Sequence, residues 1–139
     1  MDPTRLSRAL FAVAVLACSV LLGDARTPAP HAPAIARIWK GRTLAAKADE
    51  YQRYLDSTGI SRILATPGNR GVTVLRRADG GQVEFTVLSV WDSLEAVKRF
   101  AGADYRKAVI LPRDREYLVS VEPEVVHCEI IREERREAM

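Results

Sequence analysis

Residues 71–91 read GVTVLRRADGGQVEFTVLSVW, two β-branched runs on either side of Ala78-Asp79-Gly80-Gly81. Asp-Gly between alternating apolar runs is a strong hairpin signal. The spacing therefore predicts strands over Gly71–Arg77 and Gln82–Trp91. The second run is apolar on both faces. Val83, Phe85, Val87 and Trp91 fall on one side, and Leu88 and Val90 on the other. One layer of helices covers only one of those sides. The other calls for a partner or a ligand, because a large bare apolar patch is unusual on a monomer.

Working outward, Ser93 is placed to cap a helix whose Leu94, Val97, Phe100 and Ala101 face inward and which Gly102 ends. Glu95 and Arg99 pair on its outer side. Upstream, Ile35–Lys40 reads as a strand, and Thr43 as the cap of a helix with a Leu44, Ala48, Tyr51, Leu55 stripe and a stop at Gly59. Residues 60–71 read as irregular, with a turn at Thr66-Pro67-Gly68-Asn69. Downstream lies a long connection over 103–124, with a short helix expected near Tyr105–Val109. Val125–Ile131 is the last expected strand, and 132–139 a charged tail. The order β-α-β-β-α-β is the split βαβ, or ferredoxin-like, plan of an α+β domain. Both crossover helices then lie on one face of the sheet. Sheet-to-sheet packing in a homodimer would cover the other.

The chain has 139 residues, room for one ordinary domain. Its 47% hydrophobic and 28% charged content is globular, not disordered. A net charge of +3, with basic residues scattered among acidic ones, does not mark a nucleic-acid binder. No CxxC, HExxH, Walker or GxSxG motif is present. Arg5 and Arg8 precede an apolar run from Ala9 to Gly23. As a helix that run reaches roughly 22 Å, short of the ~30 Å hydrocarbon core. Residues 1–25 therefore read as a cleaved signal peptide ahead of an uncleaved membrane anchor, with a lipoprotein reading at Cys18 third. A signal implies export, periplasmic or extracellular, and contact with a membrane only through that segment if it is retained. Residues 26–33, with Pro28, Pro30 and Pro33, read as a Pro/Ala linker before a domain at 34–131. Of the two cysteines, Cys128 is then alone in the mature chain and no internal disulfide is expected.

Five segments, taken together, resemble small antibiotic biosynthesis monooxygenase domains. They are Ile35–Thr43, Tyr51–Leu55, Thr66–Gly71, Val90–Ala96 and Glu124–His127, so the likeness spans the whole domain. The resemblance implies a dimeric α+β barrel, two ferredoxin-like sheets closed on each other. It implies a function among cofactor-free oxygenases of aromatic or quinol-like compounds, haem degraders, and members without assigned activity. Family members begin near Ile35, so a misassigned start codon, and a cytoplasmic protein, stands beside the signal-peptide reading. Haem degraders place a tryptophan where this chain has Phe100 and an iron-ligating histidine near Ile110. Neither residue is kept. No cofactor and no metal are therefore expected.

The candidate site residues follow. His127 is a candidate base for a phenol or quinol; its plain alternative is a hydrogen-bonded histidine at an interface. Arg37, on one strand face with Ile35 and Trp39, is a candidate anion stabiliser or an intersubunit ion pair. Asn69 either stabilises an anion or supports its own turn. Trp39, Trp91, Phe100 and Tyr54 are candidate walls of a substrate cavity. Core packing is the alternative for Trp91, a dimer contact for Trp39 and solvent exposure for Tyr54. The leading function is a cofactor-independent monooxygenase acting on a small aromatic or quinol-like substrate. The alternative is a non-catalytic dimeric ligand-binding or structural protein of the same fold.

Overall fold

The computed structural model describes residues 32–136. The 1–25 segment and nearly all of the 26–33 linker lie outside the described residues. No helix among the described residues is long and apolar enough to cross a membrane.

The hairpin forms as its sequence predicts. Strands β2 (Asn69–Asp79) and β3 (Gln82–Trp91) pair antiparallel, from Asn69 opposite Trp91 to Asp79 opposite Gln82. Gly80 makes the turn at φ +62°, where a side chain would be strained. Strand β1 (Ile35–Leu44) pairs along the other edge of β3, from Ile35 opposite Trp91 to Leu44 opposite Gln82. Two short strands, β4 (Leu118–Val121) and β5 (Val126–Glu129), both pair antiparallel with the outer edge of β1. The spatial order is β2-β3-β1 followed by β4 and β5, the ferredoxin-like order with its last strand divided. The sheet of the single chain is open.

Three local expectations are corrected. Thr43 is not a helix cap: β1 runs on through it and buries it against Val83. Gly59 is not a helix stop. Helix α1 (Ala48–Leu55) passes through a π-turn at Asp56–Ile60 into α2 (Ser61–Ala65), with Gly59 buried inside. The long connection carries its helix, α4, at Asp114–Tyr117 and not near Tyr105, and β4 follows where no strand was expected. A π-turn keeps the chain helical while shifting which side chains face the sheet, so Leu55, Ile60 and Ile63 all reach the core. Helix α3 (Leu94–Ala101) follows expectation. The Ser93 side chain accepts a hydrogen bond from the Ala96 N–H at 3.2 Å, and Gly102 closes the helix at φ +83°.

The core fills the space between the helices and one sheet face. Val83, Phe85, Val87 and Trp91 of β3 and Trp39 of β1 meet Tyr51, Leu55 and Ile63, and Val97 and Phe100 of α3. The opposite face carries Ile38, Leu88, Val90, Leu75 and Val126 and no helix. Leu75 and Val126 there are 53% and 52% exposed.

Gly68 ties the hairpin to α3. It sits at φ +90°, and a Cβ built on it would lie 2.6 Å from the Ala96 Cβ. Its carbonyl accepts the Asp92 N–H at 2.8 Å. Gly68→Ala is expected to cost about 2–4 kcal/mol, backbone strain and overpacking together. Urea denaturation reads this directly. A loss below about 1 kcal/mol would show that the α3 N-terminus yields freely.

Candidate functional site

A cavity of about 40 Å³ lies between the core face of the sheet and the helices. Arg37, Trp39 and Val87 line it from the sheet. Tyr51, Leu55, Gly59 and Ile63 come from the α1–π-turn–α2 segment, and Phe100 from α3. Val109, Leu111 and Asp114 close it from the connection after α3. A Cβ on Gly59 would lie 3.2 Å from a Leu55 methyl and 3.4 Å from a Leu111 methyl, so the glycine sits close against the cavity lining.

The cavity is lined mainly by apolar side chains, with Arg37, Trp39, Tyr51 and Asp114 contributing polar atoms. Among the described residues, six buried side-chain polar atoms lack a hydrogen-bond partner. Four of them, Arg37 Nε, Trp39 Nε1, Tyr51 Oη and Asp114 Oδ1, belong to residues that line this cavity. These residues are 3%, 6%, 0% and 2% exposed. A buried polar group without a partner costs about 1–3 kcal/mol, and such groups are rare in folded proteins. Their gathering around one hollow is the main feature of the site.

Each of the four is held by other contacts. Arg37 Nη2 donates to the Lys107 carbonyl at 3.1 Å, and the guanidinium lies 5.4 Å from the Phe100 ring centre. Burial lowers its pKa to about 10, so it stays cationic at neutral pH. Trp39 lies along β1 over Gly41, where any Cβ would fall 2.5 Å from the indole. Tyr51 packs edge-on against Phe85 at 5.2 Å. Burial first, and the Asp114 charge second, push its phenol well above the ordinary value, so it stays protonated. Asp114 Oδ2 accepts the Leu111 N–H at 2.6 Å, and burial raises the carboxyl above the usual carboxylate range. Among the described residues neither Arg37 nor Asp114 meets an opposite charge: one bonds a carbonyl, the other an amide.

Of the residues singled out from sequence, the structure brings Arg37, Trp39 and Phe100 to this cavity. It places the others elsewhere. His127 is beside Arg37 on the neighbouring strand, yet lines a separate depression with Tyr105, Arg106 and Cys128. Burial, then the charges of Arg37 and Arg106, lower its pKa and favour neutral imidazole. Asn69 supports its turn, accepting the Gly71 N–H and donating to the Val90 carbonyl. Tyr54 stacks on Tyr117 at 5.5 Å and accepts the Arg113 N–H. Trp91 is a core residue, its indole N–H donating to Ser89 Oγ at 2.9 Å and its ring 5.6 Å from Phe100. Sequence reasoning missed Asp114, one of several acids in a long connection, and treated Tyr51 as packing alone.

Haem does not fit this arrangement. The cavity is far smaller than a porphyrin, and no histidine or cysteine lines it. Tyr51 is held protonated, unsuited to an iron-bound phenolate. Ile110 lies on the surface at 41% exposure.

No protein-family model and no curated protein sequence matches this chain. Solved structures do. A candidate antibiotic biosynthesis monooxygenase from Bacillus cereus superposes with TM-score 0.54 at 14% identity, over 75% of this chain and 99% of that one. A Mycobacterium tuberculosis protein gives 0.51 at 23% identity, over 72% and 97%. A haem-degrading protein from the same organism gives 0.51 at 18%, over 73% and 99%. Identities at this level establish a shared architecture and leave the reaction open. The chain thus has the fold of the antibiotic biosynthesis monooxygenases, the family that its sequence resembles.

Proposed function

We propose that the protein is a homodimeric, cofactor-independent monooxygenase acting on a small aromatic or quinol-like compound in the Arg37–Trp39–Phe100 cavity. The observation that carries this reading is the mainly apolar hollow lined by a buried cation and by unpaired donors. Such a site stabilises an anion formed from the substrate more strongly than water does. An acidified C–H gives its proton to the free carboxylate oxygen of Asp114, and the carbanion adds O₂. The resulting peroxide is protonated and loses water, leaving a carbonyl. In sum, R₂CH₂ and O₂ give R₂C=O and H₂O. The chain's part is to hold the anion at Arg37 and to exclude water with Phe100, Leu55, Ile63 and Leu111. The second copy covers Ile38, Leu88 and Val90, closing the two open sheets into a barrel.

Oxygen consumption with a panel of hydroquinones and anthrones tests the reading. Arg37→Met is expected to lower the rate about 100-fold. His127→Ala, outside the cavity, is expected to change it less than about threefold. Absence of oxygen uptake across the panel, or loss at His127 with none at Arg37, would sink the reading. The small size of the cavity also favours a second reading, a non-catalytic ligand-binding protein, which that first outcome would promote. Addition of haem is expected to give no Soret shift saturating at one haem per chain.

A further inference from the structure

We infer that the depression lined by Tyr105, Arg106 and His127 binds a small organic monoanion, an apolar ring carrying one carboxylate, with the charge at Arg106. The site is separate from the cavity, and the inference goes beyond the oxygenase reading without depending on it.

The depression holds about 340 Å³, within the range usual for small-molecule sites. Ile35, Leu94, Val125 and the Tyr105 ring give it an apolar floor. The Arg106 guanidinium lies 5.9 Å, and the Lys98 ammonium 5.5 Å, from the centre of that ring. Lys98 is neutralised by Glu95 at 2.9 Å, and Lys107 by Asp104 at 3.0 Å. Arg106 is left over: among the described residues its side chain bonds no carboxylate. An exposed arginine without an acid is ordinary on a surface. This one stands over an apolar floor, and its field adds to that of a buried cation.

His127 reveals that second cation. Its ring packs edge-on to Tyr105 at 5.4 Å, and it pairs with Arg37 across the β1–β5 ladder. Its Nε2 is shut off from solvent and has no hydrogen-bond partner, so it senses a ligand's charge without touching it. Burial first, then the charges of Arg37 and Arg106, hold the imidazole below its ordinary pKa. The nearby acids do not offset them. Glu95 and Asp104 are engaged by lysines, and Glu129, on the same wall, is exposed and screened by water. Arg37 is 3% exposed and meets no acid, so its field is screened far less. A carboxylate seated at Arg106 cancels part of this positive field, and His127 then takes up a proton more readily. By linkage the anion binds the protonated form more tightly by the same factor. A neutral compound with the same ring gains the floor and nothing more, and a cation is repelled.

Benzoate, titrated into the full chain at low salt, is the probe, and benzyl alcohol, which keeps the ring and lacks the charge, is the control. The readout is the imidazole proton resonance of His127, assigned by its loss in His127→Gln. Expected is one benzoate per chain, with the His127 pKa raised by roughly half a unit to one unit at saturation. Benzoate should then bind about three- to tenfold more tightly at about pH 5.5 than at about pH 8. Benzyl alcohol should bind about tenfold more weakly and leave the His127 titration unmoved. Arg106→Gln should weaken benzoate about tenfold and, with no ligand present, raise the His127 pKa, because a like charge is gone. Tyr105→Leu should weaken both compounds. Absence of saturable binding, equal affinity for benzyl alcohol, or a His127 titration that benzoate does not move would overturn the inference. Loss of benzoate binding in Arg37→Met with none in Arg106→Gln would place the anion in the cavity and overturn it as well. None of these readouts involves oxygen uptake, so the oxygenase reading stands or falls separately.

Discussion

Trp91→Ala is expected to destabilise the domain by roughly 3–5 kcal/mol, as for other buried large-to-small changes. That is a large share of the 5–15 kcal/mol by which domains are typically stable. Trp91 is fully buried where three strands meet, opposite Ile35 on β1 and Asn69 on β2. Its ring supports Phe100, and its N–H donates to Ser89 Oγ, which in turn bonds the Arg37 carbonyl at 3.4 Å. Removing the indole leaves a void beneath α3 and takes away the donor to a buried hydroxyl. The loss reaches the cavity, because Phe100 carries the guanidinium groups of Arg37 and Arg62 at 5.4 and 5.1 Å. Trp91→Phe keeps most of the volume and deletes the hydrogen bond, so about 1–2 kcal/mol is expected. Guanidinium unfolding of both variants checks the order. If Trp91→Ala costs no more than Trp91→Phe, the packing account of this residue is wrong.

The hairpin and α3 were legible in the sequence because their signals are local. Asp79-Gly80 sets a turn, Ser93 a cap and Gly102 a stop, and each acts within a few residues. Where the outcome depends on distant partners, the sequence misleads. Gly59 resembles a helix stop, but it is buried between Leu55, one turn back, and Leu111 of the later connection, and the chain stays helical through a π-turn. Thr43 resembles a cap, but pairing with Val83 and Leu118 on either side draws it into β1. The same limit governs the site. Arg37, Trp39 and Phe100 could be nominated because strand and helix periodicity set their direction. Asp114 could not, since it opens a helix of four residues, too short to show a period. It reaches the cavity through a turn closed by its own carboxylate on the Leu111 N–H. His127 drew attention by its chemistry alone. Its place on β5, next to Arg37 on the sheet but facing another depression, depends on a strand pairing that no short motif encodes.

Leu88→Glu is expected to turn the proposed dimer into a monomer while leaving the chain folded. Leu88 lies at the centre of the helix-free face, opposite Ile38 on β1 and Thr73 on β2. Val90, Ala36 and Val126 extend the apolar surface towards one end. The other end is charged, with Arg42 bridging Asp79 and Glu84, and Glu84 bridging Arg77. A second copy would bury the apolar end and leave the charged network at the rim, where exposed ion pairs contribute little. In the single chain a glutamate at position 88 stays near water and adjusts at small cost. In the dimer it is a carboxylate taken out of water without a partner. That difference is worth about 2–5 kcal/mol, or roughly 30- to 5,000-fold in the dimer Kd. Leu64→Glu, on the helical side and 56% exposed, should leave association unchanged. Sedimentation at micromolar concentration separates the outcomes. A folded wild-type monomer there, or equal dissociation by both variants, would mean that something other than a second copy covers Ile38, Leu88 and Val90.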